Sequence, residues 1–267
     1  GNARVAVFHE PFWSIPYGFY SFYLSLYMKS QGVTDVQIGF LISLNFIIGT
    51  ILALFAGVMV DKIGRRRTTI LFGLISWPGS ALLNFFAHSF WMFALAQIVC
   101  AFSKISDIGW QLILIEDADD EQRLTSFNMF GIIDILAGFF TPVAGVIVGN
   151  LGLVKAERGF LLFGAICMFI MIIHRHFKFH ETDMGRLAVE RSRAVSYWGT
   201  LKNSLKQMKS VAASGNRKLS CVLVIVVLFN AYQPIGAYSS LYFAPYLTDV
   251  VGLDTAVISV LGIVNSL

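Results

Sequence analysis

Apolar residues run along this chain in long blocks, without the strict alternation of a half-buried strand. Residues 38–60 carry only Ser43, Asn45 and Thr50 as polar side chains, close to the roughly 20 apolar residues needed to cross a bilayer core as a helix. Similar blocks recur, and the pattern predicts helices over residues 5–27, 36–60, 68–87, 90–115, 124–150, 159–177 and 219–247, with an eighth opening near Thr255. Residues 178–218 break the pattern. They are charged and mixed, with Leu201, Leu205 and Met208 at helical spacing, which predicts a linker whose amphipathic helix lies on the membrane surface.

Composition turns these helices into membrane spans. The chain is 56% hydrophobic and only 13% charged, with a mean hydropathy of +0.70, more apolar than one soluble core of this length requires. All 6 prolines fall inside the predicted spans, a placement that membrane helices accept because neighbours satisfy the freed carbonyls. The 3 cysteines, Cys100, Cys167 and Cys221, also lie in spans and lack metal-ligand spacing, so packing accounts for them.

Charge then sets the topology. Of the 20 Lys and Arg, only Lys29, Lys155 and Arg158 fall on the outer side if the N-terminus is cytoplasmic, and Lys104 alone sits mid-span. The positive-inside rule therefore predicts a cytoplasmic N-terminus and a cytoplasmic 178–218 segment in a multi-pass protein of the cell membrane. The net charge of +4 and pI near 9.0 reflect this asymmetry. No aromatic-basic platform for nucleic acid accompanies them.

The densest charge is the stretch GVMVDKIGRRR, residues 57–67. Gly57, Asp61, Gly64, Arg65 and Arg66 match G-x-x-x-D-[RK]-x-G-[RK]-[RK], and by this signature the chain resembles the major facilitator superfamily. Each position has a physical use: Gly57 lets another helix pass closely, Gly64 permits turn conformations other residues avoid, and Asp61 suits a helix N-terminus. The resemblance implies a latch that holds the two halves of a transporter together on the cytoplasmic side. It also implies an acidic partner for Arg65 at the end of the fourth span, for which Glu116 and Asp117 are the candidates. Asp119, Asp120 and Glu121 suit the start of the fifth helix. The alternating acids and central Gly of a calcium loop are absent.

An internal repeat points the same way. At an offset of 220, residues 32–45 lie over residues 252–265, with Gly32 on Gly252, Ile38 on Ile258, Leu41 on Leu261 and Asn45 on Asn265. Two six-helix halves related by a pseudo-twofold axis are the family pattern. The expected organisation is thus an all-α membrane protein: a six-helix N-terminal bundle over residues 1–177, a linker over 178–218, and the start of a C-terminal bundle over 219–267. The full transporter, working as a monomer, is expected to continue beyond Leu267 to the twelve helices of the family.

Polar groups inside spans are costly and so point to function. On the fourth span Gln97, Lys104 and Gln111 repeat every seven residues, with Asp107 one turn beyond Lys104. The fifth carries Asn128 and Asp134 among small residues, and counting from the helix ends brings Lys104 and Asp134 to similar depth. One base with two acids is either a structural pair or a site where the surplus carboxylate exchanges a proton; alternatively Lys104 anchors an anionic solute. Glu10, beside His9, is a second proton-site candidate. In the resembled family the first, fourth and seventh helices line the cavity. This makes Trp13, Tyr17, Tyr20, Gln97, Gln111, Asn230, Gln233 and Tyr238 candidate substrate contacts, to which the polar Asn45 of the second span and Asn128 of the fifth are added.

The chain also departs from the family. Gln97 stands where proton-coupled members commonly have an arginine, and the antiporter pattern of the fifth helix survives only as Pro142 and Gly145, with Ala137 and Thr141 replacing glycines. An enzyme is not expected: His9 and Glu10 are followed by Trp13 where a zinc protease would place its second His. His174, His176 and His180 lie at a basic membrane boundary, and no metal or cofactor is expected there. The reading is a secondary transporter of a small organic solute working by alternating access, with a proton as candidate coupling ion. Hydrophobic-compound efflux is the alternative mode, and a transporter-fold sensor or scaffold without flux the alternative class.

Overall fold

The computed structural model describes residues 1–193, 196–213, 220–222, 224–225, 228, 232, 242–254 and 257–261. Its helices are α1 (Asn2–His9), α2 (Pro11–Ser21), α3 (Leu24–Ser30), α4 (Asp35–Ile63), α5 (Arg65–Phe86), α6 (Phe90–Ala101), α7 (Ser103–Ile115), α8 (Asp120–Gly138), α9 (Thr141–Leu151), α10 (Leu153–Lys178), α11 (Asp183–Arg193) and α12 (Tyr197–Ala213). Among the described residues, five stretches are long and apolar enough to cross a membrane: Asp35–Ile63, Arg65–Phe86, Phe90–Ile115, Asp120–Leu151 and Leu153–Lys178. They correspond to the second to sixth predicted spans. The sixth begins at Leu153, six residues earlier than expected, and this draws Glu157 into the bundle. Most of the seventh predicted span lies outside the described residues.

The first predicted span is three short helices end to end. Pro11 cannot donate to the carbonyl of Val7, and Glu10 N bonds that oxygen instead at 3.2 Å, so the ladder resets between α1 and α2. The fifth span bends at Phe139 and Phe140, just before Pro142 near the start of α9. At the head of α4, Thr34 Oγ1 accepts from Gln37 N at 3.3 Å and Gln37 Oε1 accepts from Thr34 N at 3.0 Å, a reciprocal cap. The linker folds as two helices, α11 and α12, both packed against α4.

Lipid tails are as apolar as leucine, so close backbone packing must hold these helices together. α5 is central, packed against α7 and α10, while α2 lies between α10 and α8. A Cβ on Gly109 of α7 would come within 2.6 Å of Thr69 Oγ1 and 3.1 Å of the Arg65 carbonyl, so only glycine admits α5 at this distance. Exposed apolar side chains run along the outer faces, with Phe40, Ile47, Ile51 and Leu54 on α4 and Phe163, Ile166 and Phe169 on α10. They present the surface that a bilayer would cover.

The repeat has a structural counterpart. Gly32 and Gly252 both adopt positive φ, at 85° and 77°, and the helices that follow open alike, with Ile38 N bonded to Thr34 O at 2.9 Å and Ile258 N to Asp254 O at 3.1 Å. Ile38 and Ile258 are fully buried in one core cluster. At this end of the bundle Lys29 bonds Asp35 at 2.9 Å and also Asp249, 220 residues away. The Tyr242 hydroxyl donates to the Asp35 carbonyl at 2.6 Å.

The Lys29 ammonium holds the Asp249 carboxyl below the usual carboxylate range, so this contact should persist at neutral pH and be lost only on acidification through that lowered value. With the native cysteines replaced by serine, Lys29→Cys combined with Asp249→Cys should be joined by a short bifunctional thiol reagent. Failure to cross-link in the folded chain would show that the two segments do not meet.

Candidate functional site

Arg65 is the centre of the basic end. Gly64 closes α4 with φ 101°, and its N–H bonds the Val60 carbonyl, so the chain reverses at once into α5 and brings Arg65 back against Asp61. Arg65 Nη1 donates to Asp61 Oδ1 at 2.8 Å, while Nε and Nη2 donate to Glu116 at 3.2 and 3.0 Å, a forked pair with both side chains about nine-tenths buried. Glu116, and not Asp117, is therefore the acidic partner. Asp117 is exposed, and Asp119 caps α8 by accepting from Gln122 N at 2.8 Å.

Two groups join this cluster from the linker. Glu181 accepts from the Arg65 and Arg66 backbone N–H groups at 2.8 and 3.0 Å, placing a carboxylate on the unpaired donors at the start of α5. Thr182 Oγ1 donates to Glu116. A Cβ on Gly64 would lie 2.7 Å from Glu181 Oε2, so this glycine serves both the positive φ and the close approach. Around Gly57, by contrast, a Cβ would meet nothing within 4 Å among the described residues.

Beyond the Arg65 cluster lies an open cavity of about 300 Å³ bordered by α2, α5, α7, α8 and α10. Its acids are Glu10, Asp107 and Asp134, and its base is Arg175. Arg175 Nη2 donates to Glu10 at 3.0 Å and to the Ala6 carbonyl at 3.1 Å, where both side chains are buried. Asp134 accepts from Ser14 Oγ at 2.6 Å. Trp13, Trp77 and Trp110 supply aromatic wall, with Trp13 edge-on to Trp77 at 5.2 Å. A second cavity of about 280 Å³ toward the Lys29 end is lined by Tyr17, Tyr20, Asn45 and Gln97.

The predicted polar residues thus divide. Glu10, Trp13, Asp107, Gln111 and Asp134 meet in the first cavity, and Tyr17, Tyr20, Asn45 and Gln97 in the second. Asn45 spends its amide on the Gln97 carbonyl at 2.9 Å. Lys104 does not join Asp134. Its stem lies against Gly49 of α4, and among the described residues it makes no ion pair. Asn128 is exposed on α8 and borders neither cavity. Asn230, Gln233 and Tyr238 lie outside the described residues.

Arg175, Ser14 and Trp110 are site residues that the sequence reading leaves out, along with Glu181 and Thr182 at the latch. Arg175 carries a usable signal, since it falls inside the predicted 159–177 span, where a charge needs a partner. Counting it with the basic end hides it. Among the described residues no group of three or more His, Cys, Asp or Glu side chains is placed to hold a metal ion; His174 instead meets His9.

The forked pair between Arg65 and Glu116 can be tested directly. Glu116→Gln should lower unfolding stability by about 2 to 4 kcal/mol, because it leaves the buried Arg65 guanidinium with half its compensation. Asp117→Asn should change it by less than about 0.5 kcal/mol. Thermal unfolding of both variants in detergent checks this, and equal effects would remove Glu116 from its role.

Comparison with known proteins bears on this arrangement as a whole. No protein with a curated description matches the chain. Among solved structures, that of the nucleoside transporter NupG, determined as its D323A mutant, superposes with a TM-score of 0.67 at 14% identity, over 100% of this chain and 64% of that one. At this identity the likeness shows the fold, and the chain spans less than two thirds of that transporter's length. The family model described as Major Facilitator Superfamily matches residues 13–267, which takes in the Arg65 cluster, both copies of the repeat and the lining of the first cavity apart from Glu10, and the chain belongs to the major facilitator superfamily.

Proposed function

We propose that this chain is the N-terminal bundle, linker and first C-terminal helices of a secondary transporter that moves a small organic solute across the cell membrane by alternating access. The observation that carries the reading is the cavity between α2, α5, α7, α8 and α10, which gathers three carboxylates and one guanidinium inside a membrane bundle. Charges in that setting are costly unless function requires them. The excess of Lys and Arg at the Arg65 end supports a cytoplasmic placement for that end and for the N-terminus.

Arg65 serves this reading as the latch. Its pairing with Asp61, Glu116 and the Glu181-capped turn makes the basic end of the bundle one rigid piece, which can dock or release as a unit. The Asp61 side chain is 41% exposed, so its contribution to stability is small. Asp61→Asn should therefore insert and fold with less than about 1 kcal/mol lost, while transport in reconstituted vesicles falls steeply. Wild-type transport in that variant would remove the latch role.

Coupling rests on Asp134. Its carboxylate is held by a Ser14 hydroxyl and by no cation among the described residues, so a proton can come and go without breaking an ion pair. The Asp134→Asn variant, a permanent mimic of the protonated state, should lose accumulation against a gradient but keep solute exchange. Vesicles loaded with and without a pH gradient separate the two, and full driven accumulation by Asp134→Asn would falsify proton carriage at this residue.

A further inference from the structure

Charge in the first cavity does not balance. Glu10 and Arg175 neutralise each other through a buried pair at 3.0 Å. Asp107 and Asp134 remain, one with no ion pair among the described residues and the other bonded only to a hydroxyl. Lys104 precedes Asp107 by one turn, yet its Cγ and Cε lie against Gly49 on α4. Even with Lys104 counted, three carboxylates face two cations. Such a site repels an anion, and a neutral solute would leave a carboxylate uncompensated in a low-dielectric wall.

The uncharged part of the wall is suited to the same ligand. Trp13, Trp77 and Trp110 border a space of about 300 Å³, and Tyr17 stacks on Trp13 at 4.8 Å. Indole faces carry negative quadrupole density and attract cations, most strongly when the cation is desolvated. Asp107 and Asp134 line the same space, where a single positive charge drawn out of bulk water interacts with them most strongly.

We propose that this cavity binds a small monovalent organic cation, an amine or quaternary ammonium group held between Asp107, Asp134 and the tryptophan faces. The proposal rests on the transporter reading for movement of that solute across the membrane, but not for its binding. A cation and a proton would compete for the same surplus carboxylate. Solute binding then weakens as the pH is lowered.

The test uses the full-length chain in lipid nanodiscs, titrated with choline and with its uncharged isostere 3,3-dimethylbutan-1-ol, and followed by tryptophan fluorescence and calorimetry. Choline should bind at least about tenfold more tightly than the isostere, with affinity falling on acidification. Asp107→Asn should reduce choline affinity by about tenfold or more. Equal binding of the two probes, or failure of choline to bind, would overturn the cation site, and these wild-type measurements do not depend on any variant folding. Unchanged choline affinity in folded Asp107→Asn would also overturn it. Flux is read separately in vesicles: selective choline binding without flux would sink the transporter reading and leave the site standing. Flux of neutral or anionic solutes without choline binding would do the reverse.

Discussion

A guanidinium that has left water must be met on every side, and the arrangement at Arg65 shows how much structure that requirement organises. Asp61 reaches it from the end of α4, Glu116 from the end of α7, and Glu181 and Thr182 arrive from the linker. Three separate stretches of chain are gathered around one side chain and the turn that precedes it. In a membrane bundle, where apolar contact between helices offers little advantage over contact with lipid, such polar junctions decide register. The small-residue contacts, as at Gly109 against Thr69, then set how near the helices lie once registered.

Much of this was legible in the sequence because lipid enforces simple rules. Long apolar blocks can only be helices there, so the second to fifth spans were readable to within a few residues, and the charged motif named Asp61, Gly64 and Arg65, which do meet. The repeat was readable too, since the two positive-φ glycines lie at equivalent places. What could not be read was the direction a side chain takes from a correct face. Lys104 and Asp134 share a depth, yet the Lys104 stem follows α4 while Asp134 turns to Ser14. Arg175 illustrates a different limit. Its position near the span boundary let it pass as a solvated base, whereas three dimensions place it beneath Glu10 and the Ala6 carbonyl.

The early start of α10 has the sharpest effect. A run reading LVKAERG looks like a loop, but Gly152 at φ 78° starts the helix before it. Glu157 is thereby enclosed completely, with neither carboxylate oxygen partnered by any described group. A carboxylate in that setting is among the most expensive arrangements in a protein interior. The cavity and Glu157 therefore sit in one bundle as opposites: acids arranged around space at one level, and a single acid with none at another.

The contact between Lys29 and Asp249 joins a residue to its own counterpart in the repeat, 220 positions on. Equivalent positions can touch only where the axis relating them passes, so this pair marks the axis at that end of the molecule. In a dimer of identical halves the interface would be isologous, and whatever residue stood there would face itself. Lysine would meet lysine, or aspartate aspartate, and the two like charges would push the halves apart. Joining the halves in one chain frees the two positions to differ, and opposite charges turn a point of self-repulsion into a clasp.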